Sequence, residues 1–504
     1  MSPPDAVSVP RAGGGSASRG GRARVATRRL APVPLAAAIL AFYLHPAPVY
    51  AGKWTITPRV STTETYSDNI NLAPAGAKQG DFVTDLSAGL SAHGEGRRLK
   101  LDFDYNLQGL KYARGTSAST INQQLQAIGN AELYRQVFFV DFNATARQEN
   151  ASDSGPLANS NISVTNNRTN VLTYSLSPFV RHHFGAYADA VVRTTFDKVK
   201  NSGSSTGSFT RTLDLQLDSG RRFGRTPWSL RFNRRRENND TGPSSTFQRV
   251  DGTLNYRFSR RYGANAAIGI ENNNFANQGA NNNGVTWSAG LDWTPTPRSQ
   301  FSFGLEHRFF GSAFFFNGSH RSHRAVFAAS YREDTTTSSQ IQLQRQLITL
   351  VDPFGQPIAD PNTGQALLVP TNTPTLTNEV IVQKSFQGSI NFQGRRTNAG
   401  VSLFDDRREF QLSGDTEHVY GLSASASRTL SRRTSVNLGA SWQRTKPRAG
   451  GASDSRWNVS LGTSYQIARS LSASVNLSHD VQDSSVPSGG FKENRISAQL
   501  NVRL

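Results

Sequence analysis

The chain has 504 residues, 36% of them hydrophobic, no cysteine, and a formal net charge of +19. Without cysteine there are no disulfides, thiolate metal sites, cysteine nucleophiles or cysteine-linked lipid anchor. No run of 18 apolar residues follows residue 45, which excludes an ordinary membrane helix there, and the arginines stand mostly one or two at a time in short turns without a basic helix, which argues against nucleic acid as a partner.

Residues 1–51 read as a secretory signal peptide. Arg11, Arg19, Arg22, Arg24, Arg28 and Arg29 form a basic lead. Leu30 to Leu44 is an apolar stretch of signal length, and Pro46-Ala47-Pro48-Val49-Tyr50-Ala51 offers a small-residue cleavage site after Ala51. Thr27-Arg28-Arg29 hints at a twin-arginine signal. A barrel that crosses the inner membrane unfolded favours the ordinary secretory route.

From residue 52 the dominant pattern has a period of two, the mark of a strand with one oily and one wet face. The first strand carries Trp54, Ile56 and Val60, and the second Phe82, Leu86, Ala88 and Leu90. The third, Arg98 to Gln108, alternates without a slip through Leu99, Leu101, Phe103, Tyr105 and Leu107. A fifth sets Phe138, Val140, Phe142, Ala144 and Ala146 against Asp141, Asn143, Thr145 and Arg147. An eighth sets Leu213, Leu215 and Leu217 against Asp214, Gln216 and Asp218. A fifteenth is expected where Ile341, Leu343 and Leu347 alternate with Gln340, Gln342, Gln344 and Gln346. A twentieth shows Trp457, Val459, Leu461 and Tyr465, and the last Ile496, Ala498, Leu500, Val502 and Leu504. All six tryptophans, at 54, 228, 287, 293, 442 and 457, fall in the apolar register, where an aromatic girdle belongs.

Connections between these strands alternate short and long. Short ones are expected at His93–Arg97, Tyr134–Val137, His182–Ala186, Ser259–Tyr262, Thr294–Ser299, Glu333–Thr336 and Ala468–Ser470. Long ones are expected at Glu149–Asn167, Lys198–Gly207, Arg234–Ser245, Glu271–Asn283, Phe309–His320, Val351–Thr377 and Asp480–Lys492. Outer-membrane barrels have short periplasmic turns, longer outer loops and both termini in the periplasm, which requires an even strand number. Residues 52–504 are therefore expected to form one closed antiparallel transmembrane β-barrel of about 22 strands, roughly 20–24. A β-propeller would need a blade-sized repeat, which is absent, and shorter strands. The alternating C-terminus, Ala498 to Leu504, suits recognition by the barrel-assembly machinery, with Leu504 where such strands usually end in an aromatic.

The segments Trp54-Thr55-Ile56-Thr57-Pro58, Glu64-Thr65-Tyr66-Ser67-Asp68-Asn69-Ile70-Asn71-Leu72, Gly80-Asp81-Phe82-Val83-Thr84 and Leu101-Asp102-Phe103-Asp104-Tyr105 carry a family likeness. Together they resemble the outer-membrane β-barrel family associated with the PEP-CTERM protein-sorting and exopolysaccharide system. Asn378 to Lys384 is similar to a segment before that family's last hairpins. The resemblance implies an outer-membrane barrel of a Gram-negative bacterium, encoded beside exopolysaccharide machinery. It supplies no catalytic residues.

No cofactor site and no enzyme motif emerges. His182-His183 resembles a metal pair but falls in a predicted turn without nearby carboxylates. His320 and His323, with Ser319 and Ser322, lack a third member for nucleophilic chemistry. Asp352, Asp360 and Asn362 lack calcium-loop spacing, and Asp68-Asn69 reads as a turn cap. The lumen is the better candidate, with Arg193, Arg231, Arg235, Gln340, Gln342 and Gln344 as possible pore-lining residues. Arginine there favours anions, and amides suit hydrated or sugar-like cargo. The Pro-rich connection Val351–Thr377 is the candidate constriction, because a barrel this wide needs some plug. The expected function is a channel or scaffold for polysaccharide-linked envelope biology. The alternatives are a general or anion-leaning porin, and a surface-display barrel with a plugged lumen. Expected partners are outer-membrane lipid and lipopolysaccharide, the assembly machinery and polysaccharide.

Overall fold

A computed structural model describes residues 53–344 and 376–504, apart from 153, 154, 204, 205, 280, 449, 450, 452, 487 and 488. Residues 1–51, read from the sequence as a signal peptide, and nearly all of the 351–377 connection, with Asp352, Asp360 and Asn362, lie outside the described residues.

Alternation produces strands at nearly every place it was read. In chain order they are β1 (Lys53–Ser67), β2 (Asp81–Glu95), β3 (Leu99–Tyr112), β4 (Thr120–Tyr134), β5 (Phe138–Asn150), β6 (Arg168–Phe184), β7 (Ala188–Asn201) and β8 (Ser208–Ser219). Then follow β9 (Trp228–Asn239), β10 (Ser245–Arg257), β11 (Tyr262–Glu271), β12 (Gly284–Thr296), β13 (Ser299–Arg308), β14 (Gly311–Arg321) and β15 (Ala325–Thr337). The last are β16 (Val380–Gln393), β17 (Thr397–Phe410), β18 (Thr416–Thr429), β19 (Thr434–Lys446), β20 (Asp454–Gln466), β21 (Leu471–Ser484) and β22 (Phe491–Arg503). One short helix, α1 (Ser338–Gln344), follows β15.

Each strand pairs antiparallel with its sequence neighbour, and β1 pairs with β22 from Arg59↔Arg503 to Ser67↔Arg495. The sheet of 22 strands is closed, so no edge is left unpaired. The distribution of apolar surface is inverted relative to a soluble protein. Large apolar residues such as Leu86, Ile268, Leu305 and Trp457 stand exposed on the outer face. Such a band demands lipid around it. The buried apolar clusters are small and sit under the outer loops: Ile70, Val83, Leu110 and Tyr112 form one, and Phe247, Phe275 and Val380 another.

The count of 22 is right, but two local readings behind it were wrong and cancelled. Phe309–His320, expected to be an outer loop, is a tight turn at Phe309-Phe310 followed by β14. Gly311 follows the turn with φ +117, a conformation that side chains rarely adopt. Phe314-Phe315-Phe316 breaks strict alternation and hides this strand. Glu333–Thr336, expected to be a turn, lies inside β15 and pairs with β16. The expected strand at Gln340–Leu347 instead begins as α1, and residues 345 onward lie outside the described residues. Gln and Leu are good helix formers. Thr337 Oγ1 caps the helix by accepting the Gln340 N–H at 3.2 Å. Elsewhere strands run past their expected outer ends: β9 continues to Asn239 and β21 to Ser484. Above the lipid both faces are wet, and alternation loses its contrast.

Candidate functional site: the lumen and its outer mouth

Inward positions alternate with the lipid face along every strand, so the lumen wall inherits the polar half of the pattern. Its charges are largely matched. Arg59 forks onto Asp104 with contacts of 2.6 and 2.7 Å and also reaches Ser91. Arg308 bridges Glu271 and Asp334, each at 2.7 Å. Arg408 meets Glu417 at 2.5 Å, with both side chains only 1% exposed. Arg456 and Arg495 converge on Asp480 at 3.5 and 3.0 Å.

The three arginines expected to line the pore fare differently. Arg193 is inward, but Asp141 holds it at 2.6 Å and its guanidinium stacks over Phe179 at 4.0 Å. Arg235 packs over Phe247 at 4.3 Å, and its Nε has no hydrogen-bond partner. Arg231, in the same register as Asn233 and Arg235, is exposed and carries no ion pair among the described residues. It is the one of the three that offers a free cation to the lumen.

The glutamines belong to α1 and not to a strand wall. Gln342 is fully buried. Its Nε2 donates to Asn201 Oδ1 at 3.1 Å on β7, and Arg147 of β5 donates to its backbone carbonyl at 3.1 Å. Just before α1, Thr337 donates to Glu237 of β9 at 2.8 Å. Because β15 and β7 are eight strands apart in the ring, α1 reaches across the lumen and ties distant parts of the wall together. Gln340 is half-buried and Gln344 exposed.

A second inward segment, residues 151–167 between β5 and β6, reaches strands distant from its own. Leu157 N–H donates to Gln482 of β21 at 3.2 Å, and Gln482 returns a bond to Gly155 O at 2.7 Å. Asn159 bonds Asp480. Asn161 donates to Gln108 of β3 at 2.8 Å, Tyr112 to Ile162 O at 2.9 Å, and Val164 N–H to Ile70 O at 2.7 Å. Leu376 N–H donates to Ala151 O at 3.3 Å, joining this segment to the chain leading into β16. The sequence marked 151–167 as a loop but pointed to 351–377 as the constriction; what folds the former inward are partners hundreds of residues away.

At the rim Arg448 joins three loops. It contacts Glu379 at 2.7 Å, Asp415 at 3.0 Å and Ser413 at 2.7 Å, and lies over Phe410 at 4.2 Å. Burial pushes the Glu379 carboxyl upward, but the Ser413 N–H and Arg448 outweigh it and hold it below its ordinary value. Burial likewise opposes the Arg448 cation, and Glu379 and Asp415 raise its pKa nonetheless.

The remaining sequence candidates resolve into local structure. His183 sits on β6 and its Nδ1 contacts Asp189 of β7, so a carboxylate is near after all. His320 Nδ1 lies 2.8 Å from Ser299 Oγ, at the end of β14 by the short turns, so it flanks no outer loop. Among the described residues no group of three His, Cys, Asp or Glu side chains could hold a metal. Asp68 accepts two bonds from Asn494 at 2.7 Å, and Asn69 Oδ1 accepts the Ala73 N–H at 2.9 Å, which ties the first outer loop down.

Residues 401–504 match a family described as "Putative beta-barrel porin 2". No curated protein sequence matches the chain. Among solved structures, the FrpB iron transporter of Neisseria meningitidis is similar at 10% identity, with a TM-score of 0.50 over 89% of this chain and 82% of that one. The ferric enterobactin receptor PfeA of Pseudomonas aeruginosa is similar at 10% identity, with a TM-score of 0.48 over 89% and 81%. The siderophore receptor PirA of Acinetobacter baumannii is similar at 9% identity, with a TM-score of 0.48 over 89% and 80%. At such identities the likeness is one of fold. The closed sheet, its outward apolar band and the porin match support an outer-membrane location, and the chain is a porin-like outer-membrane β-barrel.

Proposed function

We propose that the protein is a constricted outer-membrane conduit or scaffold for hydrated, polyhydroxylated cargo in exopolysaccharide-linked envelope biology. The observation that carries this reading is the crossing of the outer mouth by α1 and residues 151–167 above a polar wall whose charges are largely paired. A general porin needs an open mouth, and a strong anion filter needs free cations, of which Arg231 is the one offered by the three expected arginines. Hydroxyls and amides on the wall suit neutral, hydrogen-bonding cargo. The link to the PEP-CTERM system rests on the sequence resemblance of the first three strands.

The interlocked loops also favour a second reading, a surface-display barrel whose lumen stays closed. Planar-bilayer recordings separate the two. A conduit gives small, fluctuating currents that a long oligosaccharide reduces, whereas permanent silence from folded protein favours the display barrel. Glycosyltransferase and exosortase genes beside the coding gene are expected; a locus lacking both contradicts the polysaccharide link.

A further inference from the structure

The outer, lipid-facing register of β7, β8 and β9 is unusual above the apolar band. Its lower part is oily: Val192 and Phe196 on β7, Leu213, Leu215 and Leu217 on β8, Leu230 and Phe232 on β9. Toward the outer ends of the same strands, the same face continues as Lys198 and Lys200 on β7, Arg211 and then Phe209 on β8, and Arg234 and Arg236 on β9, with the Arg211 guanidinium over the Phe209 ring at 5.2 Å. No carboxylate occupies that register on any of the three strands. Arg211 stands directly opposite Arg236, and Leu213 opposite Arg234. Like charges placed directly across a ladder destabilise a sheet, and within the strands Arg211 has the Phe209 ring but no carboxylate to offset them. Lys198 alone has an acid, Asp240, at 2.6 Å from an adjoining loop. Lys200, Arg211, Arg234 and Arg236 are exposed and have no ion pair among the described residues.

The other side of the barrel shows what a self-satisfied rim looks like. There Lys384 meets Glu409 at 2.8 Å and Glu333 at 3.9 Å, and Asp405 lies 2.8 Å from His418 and 3.8 Å from Arg407. Both patches occupy the same level just above the lipid-facing band, but the β7–β9 patch is left with its charge unanswered.

We propose that β7–β9 form a binding site for the phosphates of lipid A, the membrane-embedded part of lipopolysaccharide. Two features select this ligand. The cations face outward and not into the lumen, so their partner must lie in the plane of the membrane. On each strand the first of them stands two residues beyond the end of the apolar run, after Phe196, Leu213 and Phe232, roughly 7 Å at ordinary strand rise, which is the level of a headgroup and not of an acyl chain. Arginine forks phosphate with paired N–H groups, and Arg211, Arg234 and Arg236 present three such forks side by side. Leu213, Leu215 and Phe232 beneath them would take the acyl chains. The inference rests on the outer-membrane placement and is independent of whether the lumen conducts.

The test uses the full mature barrel in detergent micelles. Added bis-phosphorylated lipid A should raise its unfolding temperature more than lipid A stripped of both phosphates; equal shifts overturn the proposal. Inorganic phosphate at the same concentration should give no shift, and a shift matching that of lipid A would show a phosphate site without lipid selectivity, which also overturns it. The triple variant R211Q/R234Q/R236Q should retain about tenfold less lipid A through purification, as expected for loss of several charge-assisted contacts, while K384Q/R407Q retains the wild-type amount. If both variants retain lipid A equally, the site is elsewhere. Should the triple variant fail to fold, R236Q alone should lower the lipid A shift, and an unchanged shift contradicts the assignment.

Discussion

Arg408 and Glu417 show how the wall manages charge. Both side chains are almost fully enclosed and satisfy each other at 2.5 Å. Removing one leaves the other charged and buried, so Arg408→Ala should cost about 3–5 kcal/mol, while replacing both by apolar residues of similar volume should recover most of it. Urea unfolding of the refolded barrel measures this. The arginines read from sequence as pore-lining separate at the same scale. Arg231→Glu should move ion selectivity toward cations, measured as the reversal potential in a salt gradient. Arg235→Glu should act mainly on stability, since that position is packed against Phe247 beside Glu237. Sequence could place all three in the inward register, because alternation reports direction. It could not show that Arg193 is neutralised by Asp141, which lies on β5, two strands away.

Among the elements, those that cross the mouth are the least legible in sequence. The strands follow from a period of two, and short turns from the gaps between them. Helix α1 escaped because Gln340 to Gln344 alternates like a strand over a stretch too short to show a helical period. The inward fold of 151–167 depends on Gln482, Asp480, Gln108 and Ile70, which no local pattern connects to it. The rim latch gives this layer a pH dependence. Glu379 is held below its ordinary pKa, so it favours the docked state at pH values above its unfolded pKa. That contribution is lost as pH falls through the depressed folded value. Below about pH 4, where free glutamate itself protonates, the loops bearing Glu379, Ser413 and Arg448 should loosen. Single-channel noise should rise on acidification and return on neutralisation. In Glu379→Gln the noise should already be high at neutral pH.

For the molecule as a whole, closure of β1 on β22 turns an alternating sequence into a pore-sized cylinder with lipid outside and water inside. The count of 22 was readable because errors at β14 and α1 offset each other and because the parity of short and long connections admits only even numbers. The lipid face was readable in detail. The function of the lumen was not, since a polar wall accepts many cargoes and the contacts that cross the mouth join residues distant in sequence. On the proposed reading, the barrel's own loops constrict its outer end. Asn150 and Arg168 are paired neighbours, so residues 151–167 can be replaced by a short Gly-Ser turn without parting β5 from β6. The decisive measurement compares single-channel conductance of that variant with wild type in planar bilayers. Several-fold larger, steadier conductance is expected in the variant; equal conductance in the two proteins would show that residues 151–167 do not constrict the mouth.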